Sequence, residues 1–386
     1  MLKITLIYHK NSAKIHQNCI LRLQIQNMNI RNYLGLFAVL LLCTACPSDD
    51  DGLTAIPLRD RGEQASEDDA LIREYLQTHF YNYEAFTAAL PDFDGKIIFD
   101  SIAGVNADKT PLIEQVTTKT FNRVDTDQTI YILEAREGVG EFTPTFADST
   151  FLNFRGIKIE EVTDTADNLL GTYLAESPFD STASPIWLDL VATIEGFAKG
   201  VAGSKPGSGF MDNPDGTVTF EQDYGVGAVF MPSGVAYYAA PPANSDLGLY
   251  ANLVFVFDTL LAEQADHDND YIPSILEDVD NNGFLFDQEA DNVDGDAVPN
   301  FRDPDDENDG VLTRFEVEIE EDADGNFVAF IGFLDTDSDG TPDHIDVDDD
   351  GDGINTINEI EFEPDGTISY PDTDGDGTPD YLDSDS

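Results

Sequence analysis

Cysteine is almost absent from this chain. Its three copies, Cys19, Cys43 and Cys46, all fall in the first 46 residues. Beyond them no disulfide can form, so the body must be held by packed cores or by metal. Basic residues are scarce too: 19 Lys and Arg stand against 77 Asp and Glu, a net charge of −58. A surface of that sign repels phosphate backbones, which excludes nucleic acid as a partner. After residue 46 only His79, His267 and His344 remain, and no Ser/His/Asp or HExxH arrangement accompanies them. That excludes a serine hydrolase and a catalytic transition-metal site. The glycines at 200, 203, 207 and 209 follow no phosphate-loop spacing. Long apolar runs are missing as well. The stretch Leu34–Leu42 is nine residues, too short to span a bilayer.

Acid is what the chain has, and it is ordered. From Asp266 to the end there are 31 Asp and 10 Glu against 2 Arg and no Lys, −39 of the total. These acids fall in seven twelve-residue loops with oxygen-bearing side chains at positions 1, 3, 5 and 12. The loops are Asp266, Asp268, Asp270 and Glu277; Asp278, Asp280, Asn282 and Glu289; Asn292, Asp294, Asp296 and Asp303; Asp305, Glu307, Asp309 and Glu316; Asp335, Asp337, Asp339 and Asp346; Asp348, Asp350, Asp352 and Glu359; and Asp372, Asp374, Asp376 and Asp383. The spacing is that of a calcium loop, in which alternate side chains point inward and Gly at position 6 permits the sharp turn. A disordered acidic tail has no reason to keep the position-12 acid in register. Loops 266–277, with Tyr271 at position 6, and 292–303, with Asn292 first and Ala297 at position 6, fit least well. The expected cofactor is structural calcium, and the repeats resemble thrombospondin type 3 and EF-hand-like repeats.

The N-terminus implies an address. Arg31 precedes the apolar stretch, and Leu42-Cys43-Thr44-Ala45-Cys46 follows it. This resembles a bacterial lipoprotein signal peptide spanning 1–46, cut before Cys46, which then carries lipid and tethers the protein to a membrane. Met28 is an alternative start. Residues 47–65 read as a polar tether, and Ser48-Asp49-Asp50-Asp51 resembles the surface-export signal of Bacteroidetes lipoproteins. The implied location is the bacterial outer membrane, facing the periplasm or the cell surface.

Between tether and acidic region lie two stretches. In 66–144, Ser66 reads as an N-cap with Glu67, Asp68 and Asp69 in the first turn, and Ala70, Ile72, Tyr75, Leu76, Phe80 and Tyr81 follow at helical spacing. Strand-like alternation in 96–135 completes an accessory α/β region. In 145–262, five motifs occur in order: Ala147 to Gly156, ending Asn153-Phe154-Arg155-Gly156; Phe179-Asp180-Ser181; Thr193 to Val201 (TIEGFAKGV); Pro232 to Tyr237 (PSGVAY); and Ala251 to Phe257 (ANLVFVF). This stretch resembles an FKBP-type peptidyl-prolyl isomerase domain, and the whole order of segments resembles FKBP-type lipoproteins of Flavobacteria and their relatives.

The resemblance implies an α+β fold: an antiparallel half-barrel sheet wrapped on a short helix, followed by a calcium-loop stalk over 263–386. It implies an aromatic cup of Phe154, Phe179, Ile194, Phe197 and Phe255. Tyr237 would donate its hydroxyl to a substrate carbonyl, Asp180 would stand beside the twisted amide, and the Ile194 N–H would bind a ligand carbonyl. Such an enzyme needs no acid or nucleophile, because the barrier of about 20 kcal/mol is set by amide resonance. Two positions depart from the family pattern: Phe154 stands for a tyrosine and Phe197 for a tryptophan. The long segment 202–227, with the turn Asn213-Pro214-Asp215-Gly216, could alter the flap. The expected clients are proline-containing envelope or surface proteins. The competing expectations are a non-catalytic peptide-binding chaperone or adhesion module, and a calcium-rigidified spacer.

Overall fold

The segments Gly225–Met231 (GVGAVFM) and Leu253–Phe257 (LVFVF) have no polar side chain, so a sheet carrying them must be covered on both sides. The computed structural model describes residues 57–87, 94–163, 169–175 and 178–386. The signal peptide, Cys46 and most of the tether lie outside them. Leu58–Ser386 form one compact unit.

The elements in chain order begin with helix α1 (Arg61–Thr78), strand β1 (His79–Tyr81), helix α2 (Tyr83–Thr87) and strands β2 (Phe99–Ser101), β3 (Val116–Arg123) and β4 (Thr126–Arg136). Then come β5 (Ser149–Thr163), β6 (Leu169–Leu174), β7 (Asp180–Ser181), β8 (Ile186–Asp189) and helix α3 (Glu195–Val201). Strands β9 (Phe210–Asp212), β10 (Val218–Phe220), β11 (Gly225–Met231) and β12 (Leu253–Glu263) follow. The acidic region adds β13 (Val317–Glu321), β14 (Phe327–Phe333), β15 (Glu361–Phe362), β16 (Ile368–Ser369) and a series of 3₁₀ turns.

The main sheet runs β3-β4-β11-β12-β5-β6, antiparallel throughout, with β7 and β8 also paired to β5. On one face Tyr131, Leu133, Val226, Ala228, Phe230 and Val254 pack against Ile72, Tyr75 and Leu76 of α1. On the other, Ile130, Val229, Met231, Leu253, Phe255 and Phe257 pack against Phe197, Ala198 and Val201 of α3. Each such side chain stabilises by about 1.5–3 kcal/mol through burial. Gly200 lets α3 lie directly on the sheet, since a Cβ there would stand 2.5 Å from Cβ of Val229. The class is α+β, as expected.

Three expectations are corrected. The helix begins at Arg61, capped by Asp60, whose side chain accepts the Glu63 N–H at 2.9 Å. Ser66 is inside it and bonds back to the Gly62 carbonyl, while Phe80 and Tyr81 belong to β1. The tether therefore ends before residue 61. The boundary at 144/145 falls within one body, because β3 and β4 supply an edge of the main sheet. Nor does the acidic region begin as a free stalk. Ala147, Leu285 and Phe301 form a shared core, the Ala265 N–H donates to Asp148 Oδ1 at 3.0 Å, and Lys199 Nζ donates to the Gly283 carbonyl at 2.8 Å.

A buried polar lock ties α1 to the segment before Tyr237. Asp68 Oδ2 accepts the Ser233 N–H at 2.9 Å and its hydroxyl at 2.6 Å, and Gln64 Nε2 donates to Asp68 Oδ1 at 2.7 Å. Gln64 and Asp68 are buried at the spacing of one helical turn, so a polar stripe aligned with the apolar one does the anchoring.

Candidate functional site

The aromatic residues singled out in the sequence meet on the α3 face of the sheet. Phe197 and Phe255 are buried, with ring centroids 5.0 Å apart. Phe154 lies 5.8 Å from each of them, and Phe179 lies 5.6 Å from Phe255 at a near-perpendicular angle. Tyr237 stands edge-on to Phe179 at 6.4 Å. Phe154, Phe179, Ile194 and Tyr237 are half-buried and form a partly exposed rim packed on Phe197, Phe255 and Phe257. Edge-to-face geometry of this kind favours aromatic pairs.

Local backbone explains the placement. Gly156 lies opposite Phe255 in the β5–β12 register, and a Cβ there would come within 2.8 Å of the rings of both Phe179 and Phe255. The same glycine pairs with Asp180 of β7, and its carbonyl accepts the Phe179 N–H at 3.0 Å. Two backbone steps thus hold Phe179 in the rim and leave Asp180 exposed beside it. Burial, and after it the charge of Asp180, raises the Tyr237 hydroxyl above its ordinary pKa. Among the described residues neither the Tyr237 hydroxyl nor the Ile194 N–H has a hydrogen-bond partner, whereas the N–H groups of Phe197 and Ala198, one turn on, donate to the Ile194 carbonyl. The long segment 202–227 does not fill the cup. Its hairpin β9–β10 sets Phe220 against Phe151 at 5.6 Å, on the α1 side of the sheet.

The acidic loops form a second candidate site. Position 6 has a positive φ in all seven, including Tyr271 (83°) and Ala297 (88°), and so does position 4, from Asn269 to Gly375. The poorly fitting loops therefore share the turn of the others, at the strain a side chain adds in the left-handed region. Inner carboxylates brace the turn. Position 5 accepts the N–H of position 7 at Asp270–Ile272, Asp296–Val298, Asp309–Val311, Asp339–Thr341, Asp352–Ile354 and Asp376–Thr378, at 2.6–2.8 Å. Position 3 accepts the N–H of position 5 at Asp280, Asp294, Asp337, Asp350 and Asp374. Asn292 accepts the Gly295 N–H, and Asp372 and Asp348 accept the N–H of position 6.

One feature of the loops was missed in the sequence. The N–H of position 9 donates to the carbonyl just before position 1 at Ser274, Asn300, Thr313, Asp343, Thr356 and Asp380. The side chain of the same residue accepts the N–H of position 2. A Ser, Thr, Asn or Asp at position 9 was the readable signal. The loop from Asp278 has Phe286 there, and Asp291 Oδ1 accepts the Val279 N–H instead, at 2.8 Å. This corrects Glu289, which is exposed: Asp278 and Asp280 gather with Asp291. Phe284-Leu285-Phe286 explains the shift, because Leu285 and Phe286 turn into the shared core and lengthen the loop by two residues.

In three other loops part of the expected set gathers. Asp266, Asp268 and Asp270 gather, as do Asp294, Asp296 and Asp303, and Asp305, Glu307 and Asp309, each set with oxygens within 4.8 Å. Burial, then the charges of Asp309 and Asp349, raises Glu316. Burial, then Asp350 and Asp352, pushes Glu359 up to about 7. Asp346 is raised by burial and then by Asp339 and Asp337, and Asp383 by its contact with Asp385. Both carboxylate oxygens of Asp268, Glu277, Asp306, Glu307, Glu316 and Asp349 are buried without a donor. A buried carboxylate lacking any donor is expensive, and a hard cation with oxygen ligands is the partner such sets fit.

A family model described as BamM C-terminal matches residues 267–333, from the first acidic loop to the end of β14 and well under half of the chain. Solved structures with a similar arrangement include a peptidyl-prolyl cis-trans isomerase from Pseudomonas syringae (14% identity, 51% of this chain and 96% of that one, TM-score 0.25). Escherichia coli FkpA (16%, 62% and 74%, 0.26) and the N-terminal domain of Arabidopsis thaliana FKBP42 (17%, 37% and 97%, 0.24) are similar as well. Likenesses of this size carry no functional argument. No curated protein matches the sequence.

Proposed function

We propose that the sheet domain is a peptidyl-prolyl cis-trans isomerase of FKBP type, carried on a calcium-stabilised loop region and anchored by lipid on Cys46 to the bacterial outer membrane. The observation that carries the isomerase reading is the partly exposed aromatic cup with two unspent donors at its rim, the Tyr237 hydroxyl and the Ile194 N–H. The cup takes the prolyl ring out of water, and the donors hold the flanking carbonyls while the amide twists. Binding the twisted form better than either planar form is all the catalysis this rotation needs. Asp180 stands at the same rim, where it favours the developing dipole of the twisted amide. The clients are proline-containing proteins of the envelope or surface.

Calcium is proposed for the loops because they supply oxygen ligands alone, at the spacing and backbone turn of calcium loops, with buried carboxylates lacking any other partner. In an extracytoplasmic setting, affinities of about 10⁻⁴–10⁻³ M suffice.

The test is isomerisation of a proline peptide followed by NMR exchange, on the parent chain and on Tyr237→Phe, Asp180→Ala and Phe255→Ala, with folding checked for each. Tyr237→Phe removes one hydrogen bond worth about 0.5–1.5 kcal/mol, so the specificity constant should fall roughly two- to tenfold. A parent chain that binds the peptide without accelerating exchange would make this a peptide-holding module instead. Release of Cys46→Ser from the membrane fraction tests the anchor; retention after a salt wash contradicts it.

A further inference from the structure

Asp306 and Asp349 occupy position 2 of their loops, where a calcium loop supplies no ligand. Both are nonetheless among the most buried acids of the molecule, and none of their carboxylate oxygens meets a donor. Asp306 is turned away from its own loop. Its N–H is held by Thr313 Oγ1, and the Thr313 N–H is held by the Pro304 carbonyl. Its carboxylate gathers with Asp270 and Glu277 of the loop that starts at Asp266, oxygens within 4.8 Å. Asp270, Glu277 and Asp306 are each 1–2% exposed, and both oxygens of Glu277 also lack a donor. Three carboxylates this close, buried and without donors, repel one another strongly unless a cation lies among them.

We propose that Asp270, Glu277 and Asp306 hold one divalent cation jointly, so that a single ion clamps loop 266–277 to loop 305–316 across the intervening residues 278–304. The inference rests on the calcium reading of the loops and adds to it a ligand and a connection that the twelve-residue pattern does not contain. A second step repeats the device: Gly310 of loop 305–316 lies against Ile357 of loop 348–359, where Asp349, at position 2, is likewise buried with no donor on either oxygen. Its N–H too is held by position 9, through Thr356 Oγ1. Loops 266–277, 305–316 and 348–359 thus form a linked series. Loops 335–346 and 372–383 carry Thr336 and Thr373 at position 2 and so offer no acid for such a step. In a body without cysteine, such ions close long stretches of chain as disulfides would.

The test compares the parent chain with Asp306→Asn, Glu277→Gln, their double variant and the exposed hairpin-turn control Asp324→Asn. Calcium binding is followed by titration calorimetry, and calcium-dependent protection by hydrogen-exchange mass spectrometry. Asp306→Asn should weaken one site at least tenfold and abolish calcium-dependent protection of residues 266–277, though the substitution lies in the other loop. Glu277→Gln should expose residues 305–316 in turn, and the double variant should be little worse than the poorer single one. Unchanged exchange in β11 and β12 certifies that each variant has folded, and Glu277→Gln decides alone if Asp306→Asn has not. If calcium still protects 266–277 in Asp306→Asn as in the parent, the shared centre is wrong while the calcium reading stands. If the parent binds no calcium, the calcium reading fails and the shared centre with it.

Discussion

The sheet domain and the acidic region solve the same problem with opposite materials. The sheet buries two faces of hydrocarbon, against α1 and against α3, and its buried acids Asp68 and Asp148 have donors supplied by Ser233 and Gln64 and by Thr145 and Ala265. The acidic region has small apolar clusters, such as Val311, Ile360 and Tyr381, around carboxylates that lack donors. The first region carries its stabilising partners within the chain. Under the proposed calcium reading the second needs a solute, and its stability should follow calcium concentration.

That difference should invert the outcome of substitutions. Phe197→Ala removes a buried ring from the cup floor and should cost about 3–5 kcal/mol, equally in calcium and in chelator, read as a shift of the sheet's denaturant midpoint. A calcium-dependent cost would break the comparison. Glu316→Gln should change sign with the medium. In calcium it removes a charged ligand and destabilises loops 305–316 and 348–359. In chelator it removes a buried carboxyl that must either stay charged beside other acids or take up a proton, and it stabilises the same loops, by about 1–3 kcal/mol. Hydrogen exchange of those loops in both media checks it, and the same sign in both would contradict the cation account.

The pH dependence of the sheet sharpens the contrast from the other side. Burial pushes Asp258 of β12 up to about 6, against the pull of Arg136 and Lys96. A raised carboxylate opposes folding when ionised, so the fold gains stability as pH falls from 7 through about 6 towards 4. The gain is on the order of 2–3 kcal/mol. Asp258→Asn should flatten that part of the stability profile measured in denaturant at fixed calcium; an unchanged slope would assign it to other groups. The smallest effect is expected at Ala297, whose φ of 88° suits glycine. Ala297→Gly should relieve strain worth about 1 kcal/mol in loop 292–303 and slow its exchange in calcium, and faster exchange would contradict the reading.

Much of this was legible in the sequence because short-range rules governed it. Alternation marked β4, and spacing marked the position 1, 3 and 5 acids, since both patterns follow from backbone geometry alone, whereas β12 was marked only by its resemblance to a family motif. Gly156 brings several of the site residues together, since it lies opposite Phe255, pairs with Asp180 and accepts the Phe179 N–H. What failed depended on long-range contact. The helix start went to Ser66 because Asp60 gains its value only once the chain before it packs on Tyr238 and Tyr250. Glu289 was chosen by counting to twelve, whereas Phe286 was claimed by a core containing Ala147. Asp306 offered no local signal beyond the doublet Asp305-Asp306, repeated at Asp348-Asp349.

The central claim is that one compact chain is held by hydrocarbon in its sheet and by cations in its loops. Residue-resolved hydrogen exchange of the intact chain, in millimolar calcium and again in excess chelator, tests it most directly. The account predicts that β4, β11 and β12 keep their protection in chelator while residues 305–386 lose theirs. Equal protection of the loops in both media, or loss of protection throughout the sheet, would contradict it.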